Sequence, residues 1–435
     1  MRLQNYVLAF IAAMAIGILA NVSLAANGPN VVLIMADDFG YECVGANGGL
    51  SYATPNIDRL AKDGARFTHC YAQPLCTPTR VQLMTGLYNF RNYTRFSELA
   101  SDQQTFGHLL KDAGYATCFA HKWQLGKERP DHFGFDEYAI HSPGRSHWGM
   151  KVINNGTTIE LPKENYGPDY FADFVCDFIT RHKDEPFFVY FPIWLTHEPF
   201  DATPDSDDPS GRQDRRHFGD MVEYLDKCVG RVDETLAKLD LSDNTLFIFT
   251  GDNGTVKGIE SKTNEGIVVG GKSRLTNAGT HVPLMVRWPD RIPRGTESAD
   301  LVDFTDFVPT LAEAAGVSLP QTVPYDGQSF LTRLTGGHAE PRKWVYLSLD
   351  PRKPDQRLPP GKRGTSPTVG PVDWCVRNHR WKLYQNGAFY DVQADPLEEH
   401  SIANDLTPEA EEAKQFLAST LGRFPDLKKL KRQSK

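Results

Sequence analysis

Two kinds of hydrophobic pattern alternate along the first three quarters of the chain. Short apolar runs, typical of buried β-strands, occur at 31–35, 116–120, 187–191 and 246–250. Apolar residues at helical spacing, with boundary signals, predict helices at 54–63, 105–113, 169–182 and 218–240. The first helix has complete boundary signals, because Thr54 and Pro55 open it and Gly64 ends it. Strands that alternate with helices predict an α/β fold with a largely parallel sheet.

The pattern changes near residue 336. Short strand-like runs at 344–349, 374–377 and 381–384 are separated by loops, and a helix is predicted from Thr407-Pro408 to about residue 421. We therefore predict a main domain over 27–335 and a smaller α+β subdomain over 336–435.

The first 26 residues have the features of a secretory signal peptide. Arg2 is followed by an uncharged apolar run over 7–20, and Ser23-Leu24-Ala25 provides small residues for cleavage. The alternative, a membrane anchor, is disfavoured because the run is shorter than the ~20 residues that span a bilayer. The expected location is therefore exported, either periplasmic or extracellular, with no stable membrane insertion.

Composition narrows the function classes. The 435 residues are 40% hydrophobic and 23% charged, which excludes a mostly disordered or coiled-coil chain. The formal net charge of −8 argues against a nucleic-acid partner for the whole chain. Seven cysteines are too few for a disulfide scaffold, and the odd number is unusual for an exported protein.

Polar residues follow each of the four predicted strands, where α/β proteins bind ligands. The residues in question are Asp37 and Asp38, His121 to Gln124, Thr196-His197, and Asp252-Asn253. The oxygen atoms of Asp37, Asp38, Asp252 and Asn253 suit Ca²⁺, or less well Mg²⁺, rather than zinc. The chain has no H-E-x-x-H, C-x-x-C, P-loop or G-x-S-x-G motif, which disfavours zinc, nucleotide and serine-hydrolase chemistry.

One segment identifies a specific chemistry. Residues 74–80 read Pro-Leu-Cys-Thr-Pro-Thr-Arg and are followed by Leu83-Met84-Thr85-Gly86. This resembles the C-x-P-x-R signature of the formylglycine-dependent sulfatase family. Further segments resemble the family in the family's own order: 29–38 and 54–61 before this motif, and 251–254, 270–272 and 389–398 after it. The resemblance therefore spans nearly all of the chain after residue 26.

The resemblance implies an alkaline-phosphatase-like fold, with a large mixed, mostly parallel sheet flanked by helices, and a sulfuric ester hydrolase, arylsulfatase-like in activity. A maturation enzyme would oxidise Cys76 to formylglycine, whose hydrate would attack sulfur and later release sulfate. Asp37, Asp38, Asp252, Asn253 and residue 76 would bind Ca²⁺. Arg80, Lys122 and Lys272 would supply positive charge, and His197 would protonate the leaving oxygen, since histidine titrates near neutrality. The substrate would be a sulfated small molecule or polysaccharide.

The chain departs from the family at one position. The family usually has Lys-Trp-His where this chain has Lys122-Trp123-Gln124, and glutamine cannot exchange a proton as histidine does. Gln124 would then orient the hydrate by hydrogen bonds, with His121 as a less favoured substitute base. Two alternatives stay open: a phosphonate or phosphate ester hydrolase of the same superfamily, and a weakly catalytic protein that binds sulfated glycans. Trp148 is expected either to line the substrate pocket or to belong to a structural loop.

Overall fold

A ten-stranded mixed sheet organises the larger part of the molecule. The computed structural model describes residues 28–142, 144, 146–208, 213–350, 372–404 and 406–430, so the predicted signal peptide lies outside the described residues. The sheet order is β12-β2-β11-β8-β1-β7-β3-β4-β5-β6, with β9 and β10 in a separate hairpin and β13 to β16 in a second sheet. The strands are β1 Asn30–Ala36, β2 Ala65–Tyr71, β3 Ala116–His121, β4 Glu137–His141, β5 Lys151–Asn154, β6 Thr157–Glu160, β7 Phe187–Ile193, β8 Thr245–Gly251, β9 Glu260–Thr263, β10 Gly266–Val269, β11 His281–Arg287, β12 Thr296–Asp303, β13 Val345–Leu349, β14 Asp373–Arg377, β15 Trp381–Tyr384 and β16 Phe389–Asp391.

Helices cover both faces of the large sheet. They are α1 Pro55–Asp63, α2 Cys76–Thr85, α3 Asn89–Asn92, α4 Phe106–Asp112, α5 Gly167–Arg181, α6 Phe218–Lys238, α7 Asn277–Thr280, α8 Phe307–Ala315, α9 Leu331–Leu334 and α10 Pro408–Leu421. The two faces of the sheet form two hydrophobic clusters, one with α4 and α8 and the other with α5 and α6. Because both faces are covered, the central strands are buried along their whole length and are mostly apolar.

Five neighbouring strands at the centre of the sheet, in the order β8, β1, β7, β3 and β4, are parallel to one another. The flanking pairs β2–β11, β8–β11, β4–β5 and β5–β6 are antiparallel, whereas β12 is parallel to β2. The predicted fold class, a mixed and mostly parallel sheet flanked by helices with a smaller sheet near the C-terminus, is confirmed.

The small C-terminal sheet is an antiparallel meander. Helix α10 packs on it through Ala410 and Leu417, and its first turn is capped by Thr407, whose side chain accepts a hydrogen bond from the Ala410 amide. Val345 and Leu347 of β13 share a cluster with Tyr71 and Leu275 of the larger part. The small sheet therefore packs directly against the part of the molecule that carries the strand tips.

In the part of the chain that the structure describes, no helix is long and apolar enough to cross a membrane.

Candidate active site

The carboxyl ends of β1, β3, β7 and β8 meet at one edge of the sheet. Asp37 follows β1, Lys122 follows β3 and Asp252 follows β8 without an intervening residue. His197 lies four residues beyond the end of β7. Parallel neighbours end on the same side, so residues far apart in sequence become neighbours in space.

Close backbone approach shapes this edge. Asp38 has a left-handed backbone with φ of 60°, and its amide donates to Asp252 Oδ1 at 3.1 Å. A Cβ atom on Gly251 would lie 2.2 Å from the carbonyl oxygen of Phe39, so only glycine fits there. The turn after β1 and the end of β8 are thus held against each other.

Helix α2 brings the cysteine and the arginine of the C-x-P-x-R segment into the site. Cys76 is the first residue of this helix, and all ten of its residues are buried. Arg80 lies one turn later on the same face as Cys76. The positive end of the helix dipole therefore lies at residue 76, where it favours an anionic group.

Arg80 and Lys122 neutralise a buried pair of carboxylates. The Arg80 guanidinium, 1% exposed, donates to Asp252 at 2.9 Å and to Asp37 at 3.3 Å, and Lys122 pairs with Asp37. Burial tends to raise the pKa of Asp37, but Lys122, His197 and Arg80 together hold it below the usual range. Burial, and then the nearby Asp37 carboxylate, raise the pKa of Asp252. The site is thus rich in buried charge, and both carboxylates are paired with cations of the chain.

Lys272, His197 and Asn253 surround the second aspartate. Lys272 Nζ lies 2.7 Å from Asp38 Oδ2, and Asn253 Nδ2 donates to Asp38 Oδ1 at 2.8 Å. His197 Nε2 lies 3.8 Å from Asp38 Oδ2. Burial disfavours the charge on Lys272, but Asp38, Cys76 and Asp37 together outweigh burial and raise the lysine pKa.

The donor set fits a divalent cation. Asp37 Oδ1 and Asn253 Oδ1 are buried and lack a hydrogen-bond partner among the described residues, although buried oxygens are normally paired. Asp37, Cys76 and Asp252 each offer a ligand atom within 4.8 Å of the others, and so do Asp37, Asp38 and His197. Unpaired oxygens beside clustered carboxylates are what a hard cation such as Ca²⁺ requires.

Gln124 is the direct polar neighbour of Cys76. The Cys76 thiol donates to Gln124 Oε1 at 3.5 Å, and Gln124 has a left-handed backbone with φ of 41°. Burial raises the pKa of the Cys76 thiol despite the nearby Lys122. An unmodified Cys76 is therefore protonated at neutral pH and is not an activated thiolate. All seven cysteines are free thiols in the structure.

His197 differs from the sequence-based expectation of a pKa near neutrality. Burial, followed by the charges of Lys122 and Lys272, lowers its pKa to about 4. Its Nδ1 donates to the carbonyl oxygen of Glu198 at 2.6 Å, so the neutral ring presents Nε2 to Asp38. The pattern of residues could not reveal this shift, because it arises from burial in the folded chain and from cations that are distant in sequence.

Two residues considered in the sequence analysis are engaged elsewhere. The His121 ring stacks on Phe171 with centroids 4.1 Å apart, and its Nδ1 accepts from the amide of Trp194. His121 therefore faces the helical layer, which removes the argument for it as a base. Trp148 donates from its indole nitrogen to the carbonyl of Ala202 at 2.8 Å, as expected of a structural loop.

Sequence reasoning assigned no role to two sets of contacts that support the site. Thr255 Oγ1 accepts from the Gly40 amide at 3.1 Å and donates to Glu42, which ties the turn after Asp38 to the segment after Asn253. Lys382 of the C-terminal sheet donates to the carbonyl of Leu275, in the loop that carries Lys272. Thr255 lies close in sequence to Asp252 and Asn253, so the first set of contacts could have been considered from the sequence. The second set joins distant segments and has no such signal.

Comparison with known proteins identifies relatives over most of the chain. The family model described as Sulfatase matches residues 29–317. The N-acetylgalactosamine-6-sulfatase of Canis lupus familiaris is 32% identical over 366 residues, covering 74% of this chain and 69% of that protein. The N-acetylgalactosamine-6-O-sulfatase of Bacteroides thetaiotaomicron is 28% identical and covers 90% of this chain and 93% of its own length.

A solved structure agrees with these relatives. The crystal structure of Ps i-CgsB superposes with a TM-score of 0.76 at 26% identity, covering 91% of this chain and 92% of that chain. Similarity therefore extends beyond the segment matched by the family model and into the C-terminal sheet.

Proposed function

The chain belongs to the sulfatase family and is a sulfuric ester hydrolase, and from that premise we propose an exported enzyme that uses formylglycine at position 76 and Ca²⁺ to cleave sulfate esters of carbohydrates. The observation that carries the proposal is the buried cluster at the strand tips. Cys76 and Arg80 lie there beside Asp37, Asp252 and Lys122, and two buried oxygens have no hydrogen-bond partner in the part of the chain that the structure describes.

Within this proposal each group has a distinct contribution. Oxidised residue 76 supplies a hydrated aldehyde as nucleophile, and a cation held by Asp37, Asp38, Asp252 and Asn253 supplies positive charge beside it. Gln124 accepts a hydrogen bond from the side chain of residue 76, as it does from the thiol at 3.5 Å. Because an amide does not titrate, Gln124 orients this group without taking its proton.

Lys122 and Lys272 hold the sulfate group. Both ammonium groups lie in the carboxylate cluster, and Lys272 is close to Asp38 and His197. Such fixed cations stabilise the negative charge that develops on the sulfate and leaving oxygens. Arg80 is already paired with Asp37 and Asp252. Its main contribution is therefore to neutralise these carboxylates, and sulfate binding depends more on the two lysines.

His197 protonates the leaving oxygen only when substrate is bound. Its pKa of about 4 reflects burial and the two nearby lysines. An anionic sulfate ester between those lysines offsets their charge, and this raises the imidazole pKa toward the range needed for proton donation. The bound substrate thereby creates the acid that the reaction requires.

The substrate class rests on the relatives. Two of them are N-acetylgalactosamine 6-sulfatases, one from a mammal and one from a bacterium. We accordingly put 6-O-sulfated N-acetylgalactosamine first among the carbohydrate esters. Export is supported by the signal-peptide pattern of the first 26 residues, and an exported enzyme meets polysaccharide outside the cell.

The proposal is tested on the mature protein by mass spectrometry with a carbonyl reagent. Trypsin releases peptide 67–80, which contains both Cys70 and Cys76. We expect an aldehyde at position 76 and an unmodified thiol at Cys70, which serves as the internal control. A thiol at both positions in active protein would contradict the formylglycine assignment.

Substrate class is tested with a panel of 6-O-sulfated N-acetylgalactosamine, an aryl sulfate, a phosphate monoester and a phosphonate monoester. We expect the highest kcat/KM for the sulfated sugar. Faster turnover of the phosphonate would favour the phosphonate hydrolase alternative, and tight sugar binding without turnover would favour the glycan-binding alternative.

A further inference from the structure

A single loop, residues 270–280, contacts three different parts of the site. Lys272 reaches Asp38 from this loop at 2.7 Å. The Ser273 amide donates to the carbonyl of Pro74 at 2.8 Å, two residues before Cys76. The Gly254 amide, directly after Asn253, donates to the carbonyl of Gly279 at 3.0 Å. The position of this loop therefore affects the lysine, the modified residue and the cation ligands together.

The C-terminal sheet holds the same loop through a buried lysine. Lys382 of β15 is 0% exposed, and its ammonium donates to the carbonyl of Leu275, three residues after Lys272. Lys382 also pairs with Glu398 at 2.7 Å, and the second oxygen of that carboxylate accepts a hydrogen bond from the hydroxyl of Tyr384. The ammonium thus connects a carboxylate in the segment after β16 to the backbone of the loop that carries Lys272.

A second link supports the first. Arg377 of β14, also buried, donates to the side-chain oxygen of Asn277 in the same loop. Its guanidinium lies 3.9 Å from the ring centroid of Tyr71 at the end of β2, which fixes its direction. Both links extend from the small sheet to the loop, and both use cations that are removed from solvent.

Because these cations are buried, their hydrogen bonds require the loop to stay in one position. A buried ammonium is tolerated only while its hydrogen-bond partners are in place, because water cannot replace them. Displacement of the loop would leave the Lys382 ammonium with Glu398 as its one hydrogen-bond partner among the described residues. The loop therefore has a strong energetic preference for the position seen here.

We propose that Lys382 and Glu398 are positioning residues, which set the reach of Lys272 toward the sulfate group through the Leu275 carbonyl. This inference rests on the proposed function, since it takes Lys272 as a sulfate-binding group. It adds a role for the C-terminal sheet in the reaction, beyond packing.

The variant Lys382→Met combined with Glu398→Gln tests the proposal in the full chain. The double change removes the contact with Leu275 without leaving a buried charge unpaired, so folding is retained. We expect kcat/KM to fall by roughly tenfold or more, since small misplacements of catalytic groups are costly. The matched control is Arg380→Met, in the same sheet, whose partners Asp391 and Glu409 are both outside the loop. This control should leave activity unchanged.

A double-mutant cycle with Lys272→Met separates positioning from general structural damage. If Lys382 acts through Lys272, the Lys382→Met/Glu398→Gln change should cost little further activity once Lys272 is already Met. Additive losses would overturn the proposal, because a purely structural defect would lower activity whether or not Lys272 is present.

Hydrogen exchange supplies a readout besides activity. We expect faster exchange of the Ser273 and Gly271 amides in the Lys382→Met/Glu398→Gln variant, and unchanged exchange in Arg380→Met. Unchanged exchange of these amides in the Lys382→Met/Glu398→Gln variant would overturn the proposal. If Lys272→Met alone leaves kcat/KM unchanged, the proposed role of Lys272 in sulfate binding is wrong, while the exchange rates still decide whether Lys382 holds the loop.

Discussion

Two of the places where the molecule buries charge are the strand tips around Asp37 and the C-terminal sheet around Lys382. In the C-terminal cluster, the ammonium of Lys382, both oxygens of Glu398 and the hydroxyl of Tyr384 all have partners within the protein. At the strand tips, Asp37 Oδ1 and Asn253 Oδ1 have none among the described residues.

The difference separates two uses of buried charge. A cluster whose groups satisfy one another stabilises a particular arrangement of the chain, but offers no free atoms for chemistry. A cluster with unpaired oxygens and crowded carboxylates is stabilised by a bound cation or ligand. The first kind sets geometry and the second kind performs the reaction, and the loop 270–280 joins them.

Loss of the nucleophile should give the largest effect. Cys76→Ala removes the side chain that is converted to formylglycine, so we expect sulfatase activity to fall by about 10³-fold or more. The assay is turnover of an aryl sulfate at saturating Ca²⁺. The matched control is Cys176→Ala, which changes a half-buried free thiol of α5 and should retain activity. Substantial turnover by Cys76→Ala would show that the strand-tip cluster works without a group at position 76.

Cation removal should have the next largest effect and should be specific to the strand tips. A chelator is expected to lower activity by roughly 10²-fold, since the cation stabilises the charge that develops in the transition state by several kcal/mol. Ca²⁺ at about 100 times its Kd should add about 2.7 kcal/mol to the free energy of unfolding. The measurement is thermal unfolding with and without Ca²⁺.

The variant Asp37→Asn tests whether the cation binds at the strand tips, because it removes the negative charge of a proposed ligand whose Oδ1 has no partner among the described residues. We expect the Ca²⁺-dependent rise in Tm to shrink in this variant. Asp205→Asn is the control, since Asp205 forms an exposed ion pair with Lys227 and does not belong to the strand-tip cluster. An equal rise in Tm for both variants would argue against cation binding at Asp37.

Much of the fold was predictable because local signals and burial agree. Helix α1 is confirmed at Pro55–Asp63, since Pro55 fixes φ at the first helical position and Gly64 adopts a non-helical backbone that ends the helix. The apolar runs at 31–35, 187–191 and 246–250 are confirmed as central strands buried on both faces. The meeting of their tips then follows from parallel topology.

The parts that were not predictable depend on tertiary contacts. The low pKa of His197 comes first from burial and then from Lys122 and Lys272, each of which lies 75 residues away along the chain, in opposite directions. The contact between Lys382 and the Leu275 carbonyl joins residues 107 positions apart. A lysine in a short strand carries no sequence signal that distinguishes a solvated side chain from a buried one, so this role emerged only from the structure.

Mutation of the buried Lys382–Glu398 pair should change the free energy of unfolding more than mutation of an exposed ion pair would. Lys382→Met alone leaves the Glu398 carboxylate buried without its cation, which should cost about 3–5 kcal/mol in the free energy of unfolding. Glu398→Gln added to it should recover much of that loss, since no unpaired charge remains. Urea unfolding measures both. If the double variant is as unstable as the single one, the cluster is not balanced by charge pairing in the way proposed here.

The smallest effect is expected from Gln124, the neutral member of an otherwise charged site. Gln124→Ala removes one hydrogen bond to residue 76, worth about 0.5–1.5 kcal/mol, so kcat should fall roughly twofold to tenfold. The matched control is Gln393→Ala, an exposed glutamine in the C-terminal part, which should have no effect on kcat. A loss of about 10³-fold would place Gln124 with Lys122 and His197 as a group on which the reaction depends. A modest loss would show that the strand-tip cluster draws its catalytic power from its charges, with Gln124 orienting residue 76 between them.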